Sequence, residues 1–291
     1  MGYVAICILL LLSFYITFRL AAQFKLDLLQ VIATNYWVCV LCGIWAAPDF
    51  WQEMTTKPQN WLTFGLFQGS LFIGIFYITG YLSAQIGIGY TGLMGKISLV
   101  IPILFSAIYF KIPIDFRQYI GICLALFSIV LIHYQPAKNV SAKEEIPIKR
   151  KLLLGAILWL GSGLIDINFK WFEAFYSRTV PISHFAIVCF GTSALIGAVL
   201  VGYQVLYKKK SLEWKSVIGG IGLGVPNYFS VVFLTKGLQH LPPTIFFTVN
   251  NIGLLIAANV VGFLFFKEHF SVFKWSGLIL AVLAIGLLIL G

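Results

Sequence analysis

Apolar runs of about 20 residues follow one another along the whole chain, each closed by a short polar or helix-breaking stretch. Ten such runs stand near residues 3–20, 28–47, 61–83, 90–110, 117–135, 152–171, 181–206, 217–236, 243–266 and 272–290. At a rise of about 1.5 Å per residue, each makes a helix that crosses roughly 30 Å of hydrocarbon. A membrane barrel would alternate apolar and polar positions in segments of about ten, and that alternation is absent. The punctuation agrees: Pro48-Asp49, Gly87-Ile88-Gly89, Lys111-Ile112-Pro113, Lys208-Lys209-Lys210 and Leu241-Pro242-Pro243 all favour turns. The pattern predicts an all-α polytopic membrane protein with about ten transmembrane helices.

The pattern also repeats. Phe110-Lys111 closes one run, and Tyr119-Ile120-Gly121-Ile122-Cys123-Leu124-Ala125 opens the next. Phe266-Lys267 and Trp275-Ser276-Gly277-Leu278-Ile279-Leu280-Ala281 restate that order 156 positions later. The polar stretch from Pro136 to Lys151 falls at the midpoint, where a joint between duplicated halves belongs. The predicted organisation is a first five-helix repeat over 1–135, a basic linker over 136–151, and a second five-helix repeat over 152–291. Five spans per half is odd, so the second half enters the membrane from the opposite side. Inverted pairs of this kind place a substrate cavity near the bilayer midplane.

Composition narrows the classes. The 291 residues are 60% hydrophobic and 10% charged, with 26 Phe and a mean hydropathy of +0.94. A water-soluble domain carries roughly 25% charged residues, far more than this chain has for its surface. The net charge of +10 sits in short connectors rather than on one face. That distribution suits anionic lipid headgroups and not nucleic acid. All five cysteines lie inside apolar runs, and Cys39 and Cys42, although spaced CxxC, have no second pair and no nearby His. They read as packing residues, with no metal centre and no cofactor expected. Gly219-Gly220-Ile221-Gly222-Leu223-Gly224 lacks the strand and Lys-Ser/Thr of a phosphate loop and reads as close helix packing. With no nucleophile and base pair to place together, the chain is not read as an enzyme.

Polar groups inside the runs are the candidate chemistry, because a charge in hydrocarbon needs a partner or water. Lys96 lies about a third of the way through the fourth run, with Gly92 and Gly95 beside it. It faces a wet space, or else snorkels to the interface; the first reading is favoured. Asp166, in the sixth run, is a candidate coupling-ion site for a proton or cation, or simply the i, i+4 partner of Lys170. The ninth run carries Asn250, Asn251 and Asn259. Under a repeat offset of about 153, Asn250 stands one position from the counterpart of Lys96. Lys96, Asn250, Asn251, Tyr77, Tyr81 and Asn227 are the candidate substrate ligands, with Asn227 following the kink-prone Pro226. His184, near the start of the seventh run, reads as an interfacial hydrogen-bonder rather than a proton relay.

The turn after the fourth run, the Gly-x-x-Leu-Ala helix that follows, Pro102 within the fourth run, and Phe266-Lys267-Glu268 before another such helix resemble the EamA-like branch of the drug/metabolite transporter superfamily. The family's Leu-Gly-Glu is similar to Phe266-Lys267-Glu268 with Lys in place of Gly. Lys111-Ile112-Pro113 lacks the Glu, and the ninth run lacks the Pro. The resemblance covers nearly the whole chain and implies ten helices in two inverted halves and export of small metabolites or drugs. The expected function is a secondary transporter of a small solute, an exporter or exchanger in a plasma or bacterial inner membrane. The alternative is a non-transporting scaffold or sensor that kept the fold. Expected partners are a small-molecule substrate, membrane lipids and a coupling proton or cation. The resemblance implies cytoplasmic termini. However, 13 Lys and Arg, among them Lys149, Arg150 and Lys208, fall on the side opposite the termini, against six on their own side. The positive-inside rule turns the first group to the cytoplasm, and that orientation is preferred here.

Overall fold

The computed structural model describes residues 1–56, 59–85, 88–134, 147–266 and 270–290. Among these every regular element is an α-helix: α1 Gly2–Gln23, α2 Leu28–Ala46, α3 Phe50–Thr56, α4 Leu62–Gln85, α5 Ile88–Ile97, α6 Val100–Tyr109, α7 Phe116–His133, α8 Ile148–Phe175, α9 Ile182–Tyr207, α10 Trp214–His240, α11 Pro243–Phe266 and α12 Val272–Leu290. Nine stretches of the described residues are long and apolar enough to cross a membrane, and α1 adds the apolar segment Gly2–Phe14. The chain is a multi-pass α-helical membrane protein. Much of the predicted linker, Lys267 and Glu268 lie outside the described residues.

Polar residues set the helix ends where the sequence punctuates. Asp27 caps α2 by accepting from Leu29 N at 2.9 Å and Gln30 N at 3.1 Å. Asp115 and Gln118 form a capping box at the start of α7. Lys25, Lys111 and Lys209 follow helix ends with φ of 52°, 54° and 51°, the left-handed backbone that stops a helix.

Two features depart from the predicted runs. The short helix α3 fills the connector after Pro48. The run over 90–110, predicted as one helix, is two: Ser98 and Leu99 form a turn between α5 and α6. Pro102 has no N–H to give Ser98 O, and Ile101 N bonds that oxygen at 2.9 Å in a tighter turn.

The helices form two compact units, one of Met1–Tyr77 with Asn168–Gln239, the other of Ile78–Ile167 with His240–Gly291. Each unit draws on both sides of the midpoint. In the first, α2 and α9 pack along one another. Gly43 of α2 abuts Ile187 of α9, while Gly197 of α9 abuts Ala33 of α2. The positions exchanged, 43 with 197 and 33 with 187, are each 154 apart. α4 and α10 take part in the same way. Gly69 lies on Cys189 O and Thr192, and Gly224 on Asn35 O and Val38. Ser193 Oγ donates to Gly69 O at 2.8 Å, and Cys39 Sγ donates to Gly224 O at 3.2 Å. A Cβ at Gly69 would stand 2.2 Å from Cys189 O, so only glycine permits that approach. An aromatic core completes the unit, with Tyr36 ringed by Phe72, Phe76 and Phe190.

In the second unit, α7 and α12 form the closest pair. Gly121 lies on Ala284 O and Leu288, and Gly277 lies on Ser128 O and Ile132. These are the glycines of the repeated Gly-x-x-Leu-Ala stretches, and each exchanged pair is 156 positions apart. Ala125, Ile129, Ala281 and Ala284 close the seam without exposure. Apolar side chains from α5, α6, the turn between them and α11, among them Ile97, Leu99, Ile103 and Ile252, pack against it.

Candidate functional site

The break between α5 and α6 shapes the surroundings of Lys96. The ammonium-bearing residue stands in the last turn of α5, where carbonyls without helical partners favour positive charge. Leu99 N takes Lys96 O at 3.3 Å, and Ser98 Oγ donates to Gly95 O at 2.7 Å. Lys96 is half-buried, and its Nζ donates to Asn251 Oδ1 on α11 at 3.1 Å. Asn251 Nδ2 donates in turn to Phe247 O at 3.0 Å, which fixes the amide and aims its oxygen at the lysine. A lysine head is only a donor, so an amide oxygen satisfies it without neutralising it.

The charge of Lys96 also acts on the Asp166 carboxyl of α8 and on the His133 ring of α7. α7, α8 and α11 of one unit thus place an imidazole, a carboxyl and an amide within range of the Lys96 ammonium on α5. Lys170 pairs with Glu173, one turn further along α8. Asn250, beside Asn251, is 6% exposed, and its Oδ1 has no hydrogen-bond partner. Asn259 is satisfied by its own helix, donating to Leu255 O at 2.8 Å.

Tyr81 lies under the Arg150 guanidinium, 5.5 Å from ring centroid to carbon. Tyr90 receives Lys151 over its ring at 4.8 Å and donates to Lys151 O at 3.1 Å. These two tyrosines hold the basic start of α8, a role suited to a membrane interface. Asn227 belongs to the first unit and donates to Asn35 Oδ1 at 3.0 Å, while Asn35 Nδ2 and the Tyr36 hydroxyl remain buried without partners. Tyr77 is also in the first unit and is 56% exposed.

His133 is the residue that sequence reasoning passed over. Its Nδ1 engages Ile129 O at 2.9 Å, which makes Nδ1 the donor and leaves Nε2 as the basic nitrogen. Nε2 stands 2.6 Å from where a Cβ of Gly92 would be, so Gly92 makes room for the ring one turn before Lys96. The signal was there as a histidine ending the fifth run and a glycine four residues before Lys96. Nothing in the sequence said that they meet.

No protein-family model matches the chain. Over 277 residues it is 30% identical to an uncharacterized protein of Haemophilus influenzae, covering 92% of this chain and 90% of that one. A protein crystal structure superposes with a TM-score of 0.76 over 99% of this chain and 95% of its own, at 15% identity. That likeness concerns the fold alone.

Proposed function

We propose that this chain, which belongs to one family with that uncharacterized Haemophilus influenzae protein, is a secondary transporter of a small metabolite or drug-like solute. It works by alternating access, as an exporter or exchanger of the EamA-like drug/metabolite class, in a plasma or bacterial inner membrane. One observation carries the reading: a lysine in a broken membrane span, held by an amide oxygen rather than a carboxylate. Discontinuous helices with polar ends recur at transporter binding sites, because freed backbone groups and a charge are tolerable there only beside a wet path. Lys96 binds a carboxylate or phosphate of the solute, Asn251 positions the ammonium, and Asn250 offers an unpaired acceptor. Asp166, coupled to Lys96, carries the coupling proton or cation.

The two five-helix halves are read as inverted repeats. What supports this is the exchange of contacts at separations of 154 and 156 positions across α2–α9 and α7–α12. An internal two-fold relation produces that self-complementary pattern, in which residue i meets j and the counterpart of j meets the counterpart of i. Transport by purified protein in vesicles, screened over anionic and zwitterionic metabolites, tests the function. Lys96→Ala abolishes uptake at unchanged expression, and Lys96→Arg restores little because a planar guanidinium does not replace a compact ammonium. Normal transport by Lys96→Ala removes Lys96 from the mechanism.

A further inference from the structure

The connector after α2 brings two carboxylates to one side of a short helix. Glu53 N bonds Asp49 O at 3.0 Å, so Asp49, just before α3, and Glu53 on it stand one turn apart. His184, in the first turn of α9, faces both. Its Nε2 is 3.5 Å from Asp49 Oδ1, and its Nδ1 is 3.4 Å from Glu53 Oε2. One ring nitrogen and one oxygen from each carboxylate lie within 4.8 Å of one another. The imidazole is 3% exposed, against 54% for the Asp49 side chain and 23% for Glu53. Despite that burial, Nε2 makes no hydrogen bond. A buried nitrogen aimed at a carboxylate yet unbonded to it needs an explanation.

We propose that Asp49, Glu53 and His184 form a binding site for a divalent cation of the zinc class, open to water on its carboxylate side. Both separations exceed the roughly 2.9 Å of a direct N–H···O bond, and because the two carboxylates approach different ring nitrogens, a single ion is held through one nitrogen, with one oxygen from each carboxylate within 4.8 Å of it. The donor set selects the ion. One imidazole nitrogen with two carboxylate oxygens suits a borderline cation; magnesium prefers oxygen and water, and soft cuprous ion prefers sulfur. Like charges one helical turn apart repel, and a bound cation relieves that repulsion. Beneath the cluster lies an apolar shelf of Ala47, Phe50 and Ile187, joined by Ile44, Met54 and Val188. The Phe50 ring meets His184 edge-on at 5.4 Å and fixes the imidazole plane. Three protein ligands leave coordination positions for water on the open side. The ion ties α3, and through it the connector between α2 and α4, to the start of α9. No sequence motif announced the site, because its ligands are 131 and 135 positions from His184 and only the folding of α3 onto α9 joins them.

The experiment uses the full, untagged chain in lipid nanodiscs after chelation and dialysis, titrated with zinc alone by calorimetry. The expected result is one saturable zinc per chain at this site. Asp49→Asn and Glu53→Gln each weaken it at least tenfold, as does His184→Gln, while magnesium at a hundredfold excess leaves it in place. Asp49 is at the surface, so Asp49→Asn still decides the matter if the buried histidine variant fails to fold. Unsaturable binding, or equal affinity in wild type and the Asp49→Asn, Glu53→Gln double variant, overturns the assignment.

Discussion

Asn251 accepts from Lys96 Nζ and donates to Phe247 O, and both bonds depend on its short amide side chain. Asn251→Leu removes the acceptor and leaves a half-buried ammonium short of one partner. The expected loss of stability is about 1–3 kcal/mol. Unfolding in detergent measures it, and a cycle with Lys96→Leu separates the pair from general damage. If the two changes simply add, the residues do not act together. At this scale the sequence was partly legible. An ammonium and two amides inside apolar runs announce themselves, because hydrocarbon makes each of them costly without a partner. Which asparagine turns to the lysine was not legible. Neighbouring helical positions differ by about 100° in direction, so the rotation of α11 decides between Asn250 and Asn251. The interface-like setting of Tyr81 beneath Arg150 was hidden for the same reason.

Between helices, glycines set the spacing. Gly69 and Gly74 both lie on α4, but a Cβ at Gly69 would stand 2.2 Å from Cys189 O, while one at Gly74 meets nothing within 4 Å. Gly69→Ala therefore forces α4 from α9 and destabilises by about 1–3 kcal/mol. Gly74→Ala, which adds helix propensity and no clash, leaves stability unchanged or slightly raised. Detergent thermal unfolding of the two variants checks the contrast, and equal shifts would mean that the contact is not limiting. The helices themselves were legible because apolar length and turn residues are local properties. The split of the 90–110 run was not read, although Pro102 was visible, since a proline inside a membrane helix is often accommodated without a break. α10 runs from Trp214 to His240 through Pro226, so the same residue type ends in two outcomes.

For the whole chain, orientation is the open physical question that charge addresses. The side carrying Lys149 and Lys208 holds more Lys and Arg, and the expected outcome is that it faces the cytoplasm. Single cysteines placed in these connectors, in a chain without native Cys, should resist an impermeant reagent added outside cells. Labelling of either one reverses the orientation. Replacing Cys39 by Ser keeps a donor for Gly224 O, as Ser193 already serves Gly69 O. By itself the sequence determined the class of molecule, the approximate limits of most of its apolar helices, and the duplicated Gly-x-x-Leu-Ala stretches. Those follow from the bilayer as solvent and from hydrogen bonds closed within each helix, so short windows of sequence suffice. Only the tertiary structure decided that Gly121 and Gly277 face each other's helices, that His133 stands beside Gly92, and that Asp49, Glu53 and His184 converge. Such meetings depend on helix rotation and close packing between segments far apart in the chain, and no local pattern of residues encodes them.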